Sequence, residues 1–113
     1  RGARDVVVSS IMGSNDGVQN RGYALPAASY AVSKAAVNML WTQLAVERGE
    51  ATEGVTFTAL HPGWVATDMG RSVGEPPLQP EESVKGMMAV VEGLEHGRHN
   101  GKLVAYDGEE LLF

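Results

Sequence analysis

Cysteine is absent from the 113 residues. That excludes a disulfide framework, a thiol nucleophile, Cys-ligated zinc and iron–sulfur clusters, and it fits a reducing compartment. No run of Lys and Arg occurs, and 9 basic residues stand against 14 acidic ones for a net charge of −5. This balance argues against a broad phosphate-binding surface and against nucleic acid as a partner. No apolar run approaches the roughly 20 residues that cross a bilayer, and no charged segment precedes an apolar stretch at the start. A soluble, cytoplasmic chain with no membrane partner is expected. Internal repeats, heptads and low-complexity tracts are missing, and His61, His96 and His99 follow no metal-binding spacing, so no metal is assigned. What is present is ordinary for a globular chain, with 43% hydrophobic and 20% charged residues. A packed core follows, in one domain or part of one.

The run Val6-Val7-Val8, followed by Ser9-Ser10 and a Gly/Asn/Asp region from Gly13 to Gly22, has the pattern of a strand buried on both faces and leading into a loop. From Ala27 to Gly49 the chain is rich in Ala and free of interior Gly and Pro, with Pro26 before it. This reads as one long helix. Val37, Leu40, Trp41 and Leu44 form one apolar face, while Val32, Ala36, Met39 and Val46 form a second, which also needs a cover. Val55 to Leu60 reads as a second strand, broken by His61-Pro62-Gly63. A second helix is expected from Pro80 to about Glu95, closed by His96-Gly97, with Met87, Met88, Val90, Val91 and Leu94 as its buried stripe. Lys102 to Tyr106 makes a third strand, before an Asp107-Gly108 turn and a short apolar tail. Strand, helix, strand, helix, strand describes an α/β fold with half of a doubly wound parallel sheet. Ligands of such sheets sit beyond the C-terminal strand ends, which singles out Ser9-Ser10 and His61 to Met69.

Tyr30 and Lys34 lie four apart on the long helix and so share a face. An ammonium beside a phenol favours the phenolate and is expected to draw the tyrosine pKa down from about 10, making Tyr30 a usable general acid and base. A Tyr–Lys pair at this spacing is also an ordinary surface contact. Ser10 ends a strand at the binding edge, where a hydroxyl can hold a carbonyl oxygen, although serine also caps strand ends. Pro62-Gly63-Trp64-Val65-Ala66-Thr67 lets backbone approach a flat ligand, with Thr67 offering a hydroxyl to an amide. Pro-Gly alone is simply a turn, and Trp64 suits a cavity wall or the core equally. His61, beside Pro62, suits a structural strand end, and Ser33 suits a bond along its own helix.

Together the segments Val6 to Gly13, Tyr30 to Ala36 and Pro62 to Met69 resemble the second half of a short-chain dehydrogenase/reductase, nearest its small carbonyl reductases. The resemblance implies the C-terminal half of a Rossmann-type sheet and hydride transfer between a nicotinamide and a small-molecule carbonyl or alcohol. It implies NADP as cofactor, with NAD as the other option. Ser10, matching the second serine of the family's pair, would hold the substrate oxygen, with Ser9 as its rival. Tyr30 would exchange the proton, and Lys34 would bind the nicotinamide ribose. Pro62, Gly63, Val65 and Thr67 would line the nicotinamide. Family members pair through the long helix, so a homo-oligomer through this helix is expected. The longer gap from Ser10 to Tyr30 implies an inserted loop over Asn15 to Leu25 at the substrate mouth.

The family's glycine-rich strand–turn–helix, its Asn-Ala-Gly segment, its helix asparagine and the residue that selects NAD or NADP have no counterpart in these residues. Arg1 at the start and the quick run into Val6 point the same way, so the chain is expected to be the C-terminal portion of a longer reductase. Cut out in this way, it would expose a strand edge at Val6-Val7-Val8 and the second helix face. A non-catalytic binding module or inactive fragment built on the same sheet is the alternative.

Overall fold

A computed structural model describes residues 2–23, 28–48 and 54–113. Strand β1, Arg4–Val8, runs into a tight 3₁₀ turn at Ile11–Gly13 and then helix α1, Asn15–Asn20. The long helix α2, Ala28–Arg48, carries the chain back to strand β2, Thr56–His61. A short helix α3, Asp68–Arg71, precedes helix α4, Pro80–Glu92. One further turn, α5 at His96–His99, leads to strand β3, Lys102–Ala105, and strand β4, Glu110–Leu111. Pro26, Ala27 and Gly49, expected at the bounds of the long helix, lie outside the described residues, as do Ala24 and Leu25 of the expected loop.

The sheet order is β1-β2-β3-β4. The first three strands are parallel, with Val8 opposite Leu60 and His61 opposite Ala105. This is the α/β half-sheet expected, with two additions. Residues read as a free apolar tail form β4, antiparallel to β3, because Asp107-Gly108 turns the chain back and lays buried Leu111 opposite Leu103. Residues read as a mouth loop include α1, whose first turn is closed by Gly17 N–H donating to Ser14 Oγ at 3.0 Å.

Burial is greater along β2 than along β1. Thr56 to Leu60 in β2 are all buried, whereas β1 is half open and Val8 is exposed. β1 stands at the sheet edge, so its β-branched run is shielded less than the same run in a middle strand. Ile11, Ala59, Leu103, Ala105 and Leu111 make one core cluster. On α2, Val37, Trp41 and Leu44 are half-buried, while Val32, Met39 and Val46 are exposed, as is Leu40 of the face expected to pack. α4 starts at Pro80, where Gln79 N–H donates to Glu82 Oε1 at 3.3 Å. It ends earlier than expected, at Gly93, and His96-Gly97 open a separate turn. Leu94 is buried and Met87, Val90 and Val91 half-buried, but Met88 faces outward.

Candidate active site

Parallel pairing puts the ends of β1 and β2 on one edge of the sheet, and a cavity of about 740 Å³ opens there. The 3₁₀ turn after β1 contributes Ser10, Ile11 and Met12, and α2 contributes Tyr30. The loop after β2 contributes His61, Pro62, Gly63, Trp64, Val65 and Thr67, and α4 adds Pro80, Ser83, Val84 and Met87. Of the expected site residues, Ser10, Tyr30, Pro62, Gly63, Val65 and Thr67 all meet at this cavity. Lys34 does not line it; its Nζ lies 5.7 Å from the Tyr30 ring centroid and donates to the Val8 carbonyl at 3.4 Å. The lysine therefore stands over the Tyr30 ring, tied to the end of β1. The spacing of four on one helix produces this placement directly.

The two serines separate because extended backbone turns neighbouring side chains to opposite sides. Ser10 has φ −159 and ψ 146. Ser9 points into the α2 interface, where it is 1% exposed and its hydroxyl donates to Asn38 Oδ1 at 2.5 Å. Ser10 points to the cavity, and its Oγ accepts from Met12 N–H at 3.0 Å. Because that oxygen is engaged as an acceptor, its proton remains available to a ligand. Gly13 closes the turn against α2, and a Cβ there would come within 2.6 Å of the backbone at Ala35 N and Lys34 C. The serine turn and the Tyr–Lys helix are thus in backbone contact.

The opposite wall is shaped by glycine. Gly63 has φ +85, which favours glycine, and a Cβ there would lie 2.8 Å from the Tyr106 ring. Thr67 caps α3, its Oγ accepting from Gly70 N–H at 3.1 Å, so its hydroxyl proton is likewise available. Trp64 is a wall residue rather than core, 40% exposed and anchored by Nε1–H to the Gly70 carbonyl at 2.7 Å. Ser83 Oγ donates to the Pro62 carbonyl at 2.6 Å and holds α4 to the loop. Ser33 Oγ donates to the Tyr30 carbonyl at 2.7 Å, the bond along its own helix. Among the described residues, no Asp, Glu, Lys or Arg lines the cavity.

His61, read from sequence as a strand end, also faces this cavity. Its Nδ1 accepts from Ile11 N–H at 3.1 Å, and its ring meets Tyr23 edge-on at 6.4 Å between centroids. Burial pushes its pKa down to about 4, the nearby Asp107 and Glu109 opposing this and Arg21 adding to it. The imidazole is therefore neutral at pH 7. A base with a depressed folded pKa supports the fold above its unfolded pKa and weakens it as pH falls toward the folded value. His61 is expected to lower stability progressively from pH 6.5 to 4, by about 3 kcal/mol in all. Urea unfolding of the wild type and a His61→Asn variant over this range measures that slope as their difference.

Comparison with known proteins gives the family of the chain. The family profile described as short chain dehydrogenase matches residues 2–77. The chain is similar to the C-signal protein of Myxococcus xanthus, 39% identical over 83 residues, which is 74% of this chain and 47% of that protein. It resembles the NADPH-bound carbonyl reductase from chicken fatty liver, with 34% identity and a TM-score of 0.80 over 98% of this chain and 43% of that one. It likewise resembles the carbonyl reductase Sniffer of Drosophila melanogaster, with 32% identity and a TM-score of 0.82 over 98% and 41%. The chain spans about half the length of the curated relatives it matches. With two thirds of its length under the family profile and its whole sheet superimposing on family structures, the chain belongs to the short-chain dehydrogenase family.

Proposed function

We propose that this chain forms the substrate and nicotinamide half of an NADPH-dependent carbonyl reductase, whose reverse reaction is alcohol oxidation. The observation that carries the reading is the meeting of Ser10 and Tyr30 at one cavity, with the Lys34 ammonium over the Tyr30 ring. Ser10 donates its free proton to the substrate oxygen and polarises the C=O bond. Tyr30 gives its phenolic proton to the same oxygen as a new C–H bond forms at the carbon, and regains a proton from solvent afterwards. The Lys34 ammonium offsets the negative charge left on the Tyr30 oxygen, and its second role is to bind ribose hydroxyls. NADPH is preferred over NAD because structural relatives are described as NADPH- or NADP-bound.

The residues present fit a nicotinamide. Gly63 leaves a side-chain-free approach, Pro62 and Val65 offer apolar contact to a flat ring, and the spare Thr67 hydroxyl proton suits a carboxamide oxygen. When bound, this cofactor supplies the hydride and its electron pair. The remaining cavity wall, with Met12, Tyr23, Trp64, Val84 and Met87 and no charged side chain among the described residues, selects an uncharged, largely apolar carbonyl compound. The chain lacks a glycine-rich strand–turn–helix to hold the cofactor's pyrophosphate, and it spans about half of its relatives, so the phosphate-binding half is proposed to come from further polypeptide.

Saturation-transfer NMR of the 113 residues with NADPH tests this reading. The nicotinamide ring protons should receive strong saturation and the adenine protons little. Strong adenine contact without nicotinamide contact, or no contact with either, overturns it.

A further inference from the structure

The 3₁₀ turn that presents Ser10 begins with N–H groups that no preceding helix turn can satisfy. Met12 N–H goes to Ser10 Oγ at 3.0 Å and Gly13 N–H to the Ser10 carbonyl at 3.0 Å. The Ile11 N–H, next in chain to Ser10, goes to a side chain 50 residues away, His61 Nδ1, at 3.1 Å. Ile11 itself is buried in the core cluster. An N–H in that position left without an acceptor costs the desolvation of the group, so the turn would reorganise rather than keep it.

Only a neutral imidazole can serve, since the protonated ring has no acceptor nitrogen, and accepting through Nδ1 leaves the ring proton on Nε2. The groups facing it are Tyr23, packed edge-on, Arg21 beyond α1, and Asp107 and Glu109 on the β3–β4 turn. Arg21 is itself paired with Glu109 at 2.9 Å.

We propose that His61 is a positioning residue, whose Nδ1 lone pair holds the Ile11 amide and thereby fixes the turn that aims the Ser10 hydroxyl into the cavity. The consequence for turnover rests on the reading of Ser10 given above; the structural coupling does not. Asparagine can imitate the acceptor, because its Oδ1 sits at the same bond count from Cβ as Nδ1. Leucine fills similar space and accepts nothing.

The test is amide hydrogen exchange and ¹⁵N NMR of the full chain, with His61→Asn and His61→Leu. In the wild type the Ile11 amide should shift in step with the His61 ring as pH falls toward about 4. In His61→Asn the amide should stay protected with no such step. In His61→Leu it should exchange about 10- to 100-fold faster than in the wild type. Should the leucine variant not fold, the shared midpoint in the wild type and its loss in the asparagine variant still decide. A protonated Nδ1, an Ile11 amide that ignores the ring titration, or unchanged exchange in a folded His61→Leu overturns the proposal. In the enzyme with its cofactor, His61→Leu should lower kcat/KM about as much as Ser10→Ala, and the double variant little further. Coupled amide and ring with unaffected turnover would keep the positioning role and refute the role of Ser10.

Discussion

Replacing Tyr30 by phenylalanine is expected to lower carbonyl reduction by about 10²- to 10⁴-fold, the contribution of a placed general acid. The change removes one oxygen and keeps the ring that lines the cavity beside Ser10 and stands over Lys34. Cavity shape, and with it contact to the nicotinamide, is expected to persist, so the loss falls on kcat. Steady-state kinetics read this directly, and saturation transfer to the nicotinamide ring checks that the cavity is intact. A variant that turns over at the wild-type rate removes Tyr30 as the proton donor. The same substitution discriminates against the binding-module alternative, for which the phenolic oxygen has no consequence.

Substituting Gly13 by alanine is expected to damage stability and activity together. A Cβ at this position would stand 2.6 Å from two backbone atoms of α2 and 2.9 Å from Lys34 Cβ. Backbone cannot swing away as a side-chain tip can, so the 3₁₀ turn and the helix must part. Overpacking of this kind costs about 1–3 kcal/mol. Because the turn carries Ser10 and the helix carries Tyr30, a separation near 1 Å misaligns the two hydroxyls, and such errors cost about 100-fold in rate. Denaturant midpoints and kcat/KM of Gly13→Ala check both effects. Gly97, where a Cβ meets nothing and the backbone is outside the left-handed region, is the control for space.

The parts of the molecule legible from sequence were those set by local spacing. Tyr30 and Lys34 sit four apart on an uninterrupted helix, and Pro62-Gly63 leaves a strand end, so both reach the ligand edge through covalent connection alone. What was not legible depended on position in the sheet. An edge at Val6-Val7-Val8 was expected, but its β-branched composition does not tell how open β1 is, and the strand buried along its length is β2, whose threonines hide the fact. Glu110–Leu111 became a strand through pairing with Leu103 and Val104, a contact that a two-residue stretch cannot announce. Ser9 and Ser10 are chemically identical, and only the depth of Asn38 on α2 assigns one to the interior and leaves the other at the cavity. His61 carried a weak signal, a histidine immediately before Pro-Gly at a strand end. Its partner, the Ile11 amide, belongs to a distant segment that no periodicity relates to it.

The most direct test of the account is the transfer of isotope from NADPH deuterated at both C4 positions to an uncharged aryl ketone, followed by mass spectrometry of the alcohol, for the enzyme carrying this chain and for its Tyr30→Phe variant. The account predicts deuterium on the carbinol carbon of the wild-type product and loss of that product in the variant. An unlabelled alcohol, or a labelled one formed equally well by Tyr30→Phe, would contradict it.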